Sequence, residues 1–170
     1  MTEAKEEEKL KLRFNQIMHM LYKWPEDKVK TILKEQLERE GWAITQIAMG
    51  TEKGKDLETT KDDRVIHIEV KGEPKSPLSY QVERRAFIGQ ALTSLITHMN
   101  EGTANNAFCM AFPDNDYYLR GVRRLVPLYV RNRLRVFTIF VGDGNVIQIL
   151  LPNSNEVRTL NRFEELFNTD

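Results

Sequence analysis

The chain has 170 residues, and its 25 Lys and Arg balance 25 Asp and Glu to a formal net charge of zero. That length fits one domain with a hydrophobic core of its own. At 41% apolar and 29% charged residues the chain reads as globular rather than disordered, no apolar run reaches the ~20 residues that span a bilayer, and neutrality argues against a histone-like electrostatic DNA binder while allowing a local basic groove.

Leu10, Phe14, Ile17, Met18 and Leu21 recur at helical spacing, predicting a helix from about Glu3 to Tyr22. Its lead-in, Met1 to Lys11, is acidic and lacks an apolar signal core, so no secretory signal and a cytoplasmic location are expected. Pro25 suits the first turn of a second helix that runs to about Glu40, with Val29, Ile32, Leu33 and Leu37 on one face and Gly41 as its stop. Strands follow at Trp42–Met49, Asp56–Thr60 and Arg64–Lys71, the last two joined by a tight turn at Asp62-Asp63. A helix is predicted from Tyr80 to Met99, then a strand at Ala107–Phe112 whose continuous apolar run marks burial on both faces. A helix from Tyr117 to Arg131, strands Arg135–Val141 and Val146–Leu151 and a short helix near Asn161–Phe167 complete the chain. Hairpins followed by a crossover helix predict an α/β fold with a mixed central sheet and helices on its faces. Cys109, the single cysteine, excludes a disulfide framework and a cysteine-built zinc site; it falls in a buried strand and fits a reducing compartment.

The stretch KDLETTKDDRVIHIEVKGE, Lys55 to Glu73, carries the chemistry. On a strand, Ile66, Ile68 and Val70 point one way and His67, Glu69 and Lys71 the other. A two-residue turn at Asp62-Asp63 pairs Lys61 with Arg64 and so sets Asp56 opposite Glu69, on the same side. A one-residue slip would turn Asp56 away. Two adjacent carboxylates repel, so neutralising either one should raise the metal-free melting temperature. A hard divalent cation suits such oxygens, and a neighbouring lysine can orient water and stabilise developing charge. The competing interpretation is an exposed strand face with a surface Lys–Glu pair of little worth.

Asp followed by Glu-x-Lys across a hairpin, preceded by a helix that ends in Gly-aromatic (Leu37 to Trp42), resembles the PD-(D/E)xK nuclease superfamily, the fold of type II restriction endonucleases and archaeal Holliday junction resolvases. The similarity covers about Pro25 to Phe112 and includes the FIGQALTSL helix; Arg133 to Leu151 is more loosely similar to XisH-like excision-control proteins. Lys55 stands where many members carry Pro. The resemblance implies a restriction-endonuclease-like αβββαβ core within residues 25–112 of a nuclease-like domain spanning 25–151. An N-terminal helical appendage (1–24), a C-terminal α-β-β extension and a tail with a short helix (152–170) would surround that core. It further implies Mg²⁺, with Mn²⁺ substituting, held by Asp56, Glu69 and the main-chain carbonyl of Val70. Lys71 would position the attacking water, with Glu26 as the helix acid and Gln90 in support. On the helical wheel Glu26 falls among Val29, Leu33 and Leu37, with Gln36 and Glu40 also near that stripe; Glu26 equally suits the helix dipole. Gln90 falls off its own helix's apolar stripe, toward either the site or water.

His67 shares the Glu69 face and is expected to be a solvated strand residue. The segment Gly50–Lys55 lacks the Ser or Thr of a P-loop. Arg120, Arg123, Arg124, Arg131, Arg133 and Arg135 form the strongest basic cluster, and with Arg84 and Arg85 they are candidate phosphate contacts; a solvated helix face is the alternative. The expected function is therefore metal-dependent phosphodiester hydrolysis of DNA by an endonuclease of restriction, defence, recombination or element excision. Without a visible target-recognition domain, sequence-specific cleavage would need a homodimer or partner subunit. The rival is a catalytically silent nuclease-fold module that binds DNA or protein. Neither expects a membrane partner.

Overall fold

The computed structural model describes residues 6–14, 24–52, 54–75, 80–99 and 105–168. Residues 6–14 form α1, whose Leu10, Leu12 and Phe14 are exposed; the rest of the helix expected up to Tyr22 lies outside the described residues. The elements that follow are α2 (Glu26–Arg39), β1 (Ala43–Ile47), β2 (Leu57–Lys61), β3 (Arg64–Val70), α3 (Tyr80–Met99), β4 (Asn106–Pro113), α4 (Asp116–Leu125), α5 (Leu128–Leu134), β5 (Val136–Val141), β6 (Ile147–Leu150) and β7 (Val157–Thr159), with short 3₁₀ turns at Asp143–Asn145 and Phe163–Phe167.

The fold is α/β around one seven-stranded mixed sheet whose spatial order is the chain order. β3, β4 and β5 run parallel in its centre, and the flanking pairs are antiparallel. Period-2 alternation splits the central strands between two cores. Ile66, Ile68, Val70, Cys109, Ala111, Phe137 and Ile139 pack against Val29, Leu33 and Leu37 of α2. Met110, Phe112, Val136 and Phe140 pack on the other face against Ile88, Ala91 and Leu95 of α3 and Tyr118 and Val122 of α4. Gly41 ends α2 with φ +83°, a left-handed conformation that glycine takes without a Cβ clash.

Two expectations change. The single helix expected from Tyr117 to Arg131 is broken into α4 and α5 at Pro127, which has no N–H to donate to a helix and stands as the N-cap of α5. Residues 152–168, expected as a tail with a short helix, carry the turn at Phe163–Phe167 and also β7, which extends the sheet beyond β6, and Leu160, Phe163 and Leu166 are buried in the α2-side core.

Candidate active site

The turn at Asp62-Asp63 sets the geometry. Asp62 takes φ +54°, Lys61 pairs with Arg64, and the register runs unbroken to Leu57 opposite Ile68. One residue further, Asp56 therefore lies across from Glu69. Its main chain is anchored by the Ala48 N–H, 3.2 Å from the Asp56 carbonyl. Asp56 immediately precedes β2. Oδ1 lies 2.9 Å from Lys30 Nζ of α2. Oδ2 accepts from the Val70 N–H at 2.9 Å and lies 3.5 Å from Lys71 Nζ. Since the N–H and C=O of one strand residue point to the same side, the Val70 carbonyl is also directed toward the Asp56 side of β3.

Gly72 brings the helix acid into reach. A Cβ on residue 72 would stand 2.3 Å from the Glu26 nitrogen and 2.7 Å from the Trp24 carbonyl. Only glycine lets the end of β3 run this close to the start of α2. The Glu73 N–H donates to the Trp24 carbonyl at 2.7 Å and Tyr118 Oη donates to the Gly72 carbonyl at 2.7 Å, clamping the crossing from both layers. Glu26 then reaches Lys30 at 2.7 Å through Oε1 and Lys71 at 3.8 Å through Oε2. Glu26, the choice among the three helix candidates, thus meets Lys30 and Lys71, the two ammoniums that also meet Asp56. Glu40 instead accepts from the Phe163 N–H and from Gln36.

Glu69 faces α3. The helix runs antiparallel to β3, so its stripe His98–Ser94–Gln90 tracks His67–Glu69–Lys71. His98 Nε2 lies 3.5 Å from Glu69 Oε1, and Ser94 hydrogen-bonds the same carboxyl. Gln90 is exposed, one turn beyond Ser94 toward the Lys71 end. Burial, then the neighbouring Asp56 charge, push the Glu69 carboxyl up to about 7, against the opposing pull of Ser94 and Lys71. Burial works against ionisation of Asp56 too, but Lys30, Lys71 and the Val70 N–H outweigh it and hold that carboxyl below its ordinary range.

No family model, curated protein or solved structure matches the chain. Two carboxylates within hydrogen-bonding reach, one with its ionisation suppressed by the other, are a cation-attracting pair. With the Val70 carbonyl they make a short all-oxygen set that suits Mg²⁺ or Mn²⁺, ions that keep several waters. Among the described residues there is no group of three or more His, Cys, Asp or Glu side chains arranged to hold a metal. The set fits a water-rich, hard cation rather than a closed cage.

The other assignments divide. His67 is buried, not solvated: it stacks on Phe108 at 5.0 Å, with Nδ1 3.0 Å from Glu58, because α3 covers this face. Arg84 is buried and donates to Glu73 at 3.0 and 2.7 Å, lying over Tyr117, so it braces the β3 exit instead of meeting solvent. Arg131 is wholly buried and serves the carbonyls of Val126, Leu151 and Ser154. Arg123 donates to the Asn155 carbonyl. Arg85, Arg120 and Arg124 remain together, lining with Tyr117 a hollow of about 300 Å³. α4 follows the C-terminal end of β4, which pairs in parallel with β3 up to Val70 opposite Ala111. The hollow therefore lies toward the same end of the sheet as Lys71. Lys30, Ser94 and His98 join the site without having been singled out by any sequence motif.

Proposed function

We propose that the chain is a divalent-metal-dependent DNA phosphodiesterase with a restriction-endonuclease-like αβββαβ core, and that Asp56, Glu69 and Lys71 form its hydrolytic site. The convergence of these three side chains with Glu26, at the end of one hairpin, carries the proposal. Asp56, Glu69 and the Val70 carbonyl would hold Mg²⁺ or Mn²⁺, which when bound supplies positive charge to the phosphate oxygens. Lys71, held within 4 Å of Asp56 and Glu26, orients a water for in-line attack on phosphorus. The phosphorus–O3′ bond breaks as the water oxygen bonds to phosphorus and gives up a proton to bulk solvent, and O3′ takes one proton from solvent, leaving a 5′-phosphate and a 3′-hydroxyl. The Lys71 ammonium offsets the negative charge that builds up in between. Arg85, Arg120 and Arg124 supply phosphate contacts along the same end of the sheet.

A second reading has one observation in its favour. Lys30 already neutralises much of Asp56 and Glu26 without any metal, as a silent DNA- or protein-binding module of the same fold would require. Incubation with Mg²⁺ or Mn²⁺ and supercoiled, linear or branched DNA separates the two. Cleavage of at least one substrate, leaving 5′-phosphate ends, supports the hydrolase. DNA retained but uncut under every condition supports the binding module.

A further inference from the structure

Lys30 sits where no surface lysine would. Its side chain is 2% exposed, although it belongs to an outer helix. All three ammonium protons have an acceptor: Glu26 Oε1 at 2.7 Å, Asp56 Oδ1 at 2.9 Å and the Ala48 carbonyl at 2.6 Å. An ammonium so fully committed is a fixed charge, not a proton donor in turnover. It also fills a definite place. A divalent ion bridging Asp56 Oδ1 and Glu26 Oε1 would lie about 2.0–2.1 Å from each, within the volume the Lys30 ammonium occupies, while the other two oxygens, Asp56 Oδ2 and Glu26 Oε2, face the Lys71 ammonium at 3.5 and 3.8 Å.

We propose that Lys30 is the resident second cation of this site: it fills the position between Glu26 and Asp56, limits the site to one divalent ion on the Glu69 side, and makes Glu26 a holder of Lys30 rather than a metal ligand. This rests on the hydrolase reading above and specifies how many ions that site takes. The arrangement leaves three carboxylates, Glu26, Asp56 and Glu69, facing two fixed ammoniums, Lys30 and Lys71. One divalent ion is enough to convert this excess of negative charge into a site that attracts a phosphodiester. Glu26 acts through Lys30, so it is a positioning residue.

The test counts Mn²⁺ bound to the full chain without DNA, by the electron paramagnetic resonance signal of the free ion. Wild type is expected to bind one ion. Glu26→Gln should still bind one, with an affinity loss at least about tenfold smaller than that of Glu69→Gln, which removes a ligand. Lys30→Met, if folded by circular dichroism, should open the Glu26–Asp56 position and bind two. Two ions in wild type, equal losses in Glu26→Gln and Glu69→Gln, or a folded Lys30→Met that still binds one overturns the inference and leaves the hydrolase reading standing. If Lys30→Met does not fold, the Glu26→Gln comparison decides alone. No ion in wild type removes the hydrolase reading and this inference with it.

Discussion

On the α2 side of the site, Asp56 is met by Lys30, by the Val70 N–H and by Lys71, and its carboxyl is held below the ordinary range. On the α3 side, Glu69 lies directly across from it and is also buried, yet its carboxyl is pushed up to about 7. Its close partners there are the Ser94 hydroxyl and the His98 ring. Proximity and burial are shared by the two carboxylates. The position of fixed cations is not, and that difference sets which one ionises freely. The α2 side is electrostatically complete, whereas the α3 side is the half that gains from an incoming cation.

Lys71 joins the halves, since it contacts Asp56 and Glu26 and its charge eases ionisation of Glu69. Lys71→Ala is therefore expected to lower DNA cleavage by about 10²-fold or more while leaving the circular dichroism spectrum and melting temperature near wild type. A wild-type rate in that variant would remove Lys71 from the chemistry.

The comparison is sharpest in two neutralising substitutions that should move stability in opposite directions. Mutual repulsion alone predicts that Asp56→Asn and Glu69→Gln both stabilise the metal-free protein. The Lys30 ion pair reverses the first: Asp56→Asn takes one partner from a buried ion pair and should cost about 2–4 kcal/mol, below the usual ~3–5 because Glu26 and Ala48 still hold the ammonium. Glu69→Gln should raise the metal-free melting temperature by a few degrees. Thermal melts in a chelating buffer check both signs; shifts of the same sign would mean that the two sides do not differ.

A pH titration reads the same contrast with a smaller effect. Glu69 has a raised folded pKa, so its contribution is fully present below about 4.5 and is lost as pH rises through about 7. Metal-free stability should fall across that window with a slope of up to about 1.4 kcal/mol per pH unit from this group. Asp56 acts oppositely, because its depressed carboxyl stabilises the fold above the ordinary carboxylate range and ceases to do so only in strong acid. Denaturant melts of Glu69→Gln at pH 5, 6, 7 and 8 should show the neutral-range decline removed; an unchanged decline would assign it to another group.

The smallest effect concerns the basic hollow. Replacing Arg85, Arg120 and Arg124 together by Ala should flatten the dependence of log affinity on log salt by about 0.9 for each phosphate of duplex DNA that is no longer neutralised. Arg123, tied to Asn155, and the buried Arg84 are expected to contribute little to that slope. Binding isotherms at several salt concentrations measure it, and an unchanged slope would leave these arginines a solvating role.

The part of this site that depends on period-2 geometry is legible in the sequence. Once Asp62-Asp63 is taken as a two-residue turn, counting back along both strands pairs Leu57 with Ile68 and brings Asp56 to Glu69. The C-terminal part of α3 is legible as well, since its apolar stripe continues past Gly89 from Phe87 to Met99. Lys30 is harder. Four residues after Glu26 it suggests an ordinary surface pair. The clue in the sequence is that at 3.6 residues per turn it falls about 40° from Glu26 and about 20° past Leu37, at the border of the arc of Val29, Leu33 and Leu37. Its burial depends on a tertiary approach, the end of β3 passing α2 at Gly72, which local pattern does not encode. Arg84 and Arg131 mislead for a related reason. A run of arginines looks like a basic surface until Glu73, or a set of carbonyls such as those of Val126 and Leu151, is found to meet individual members. The break between α4 and α5 is readable from Pro127 alone.

The central claim is that Asp56 and Glu69 share one cation on the α3 side. Anomalous scattering from crystals grown with Mn²⁺ tests it most directly. One peak is predicted, with carboxylate oxygens of both Asp56 and Glu69 about 2.0–2.6 Å away and the Lys30 ammonium still between Glu26 and Asp56. A peak bridging Glu26 and Asp56 in place of Lys30, or Mn²⁺ bound only elsewhere on the chain, would contradict the account.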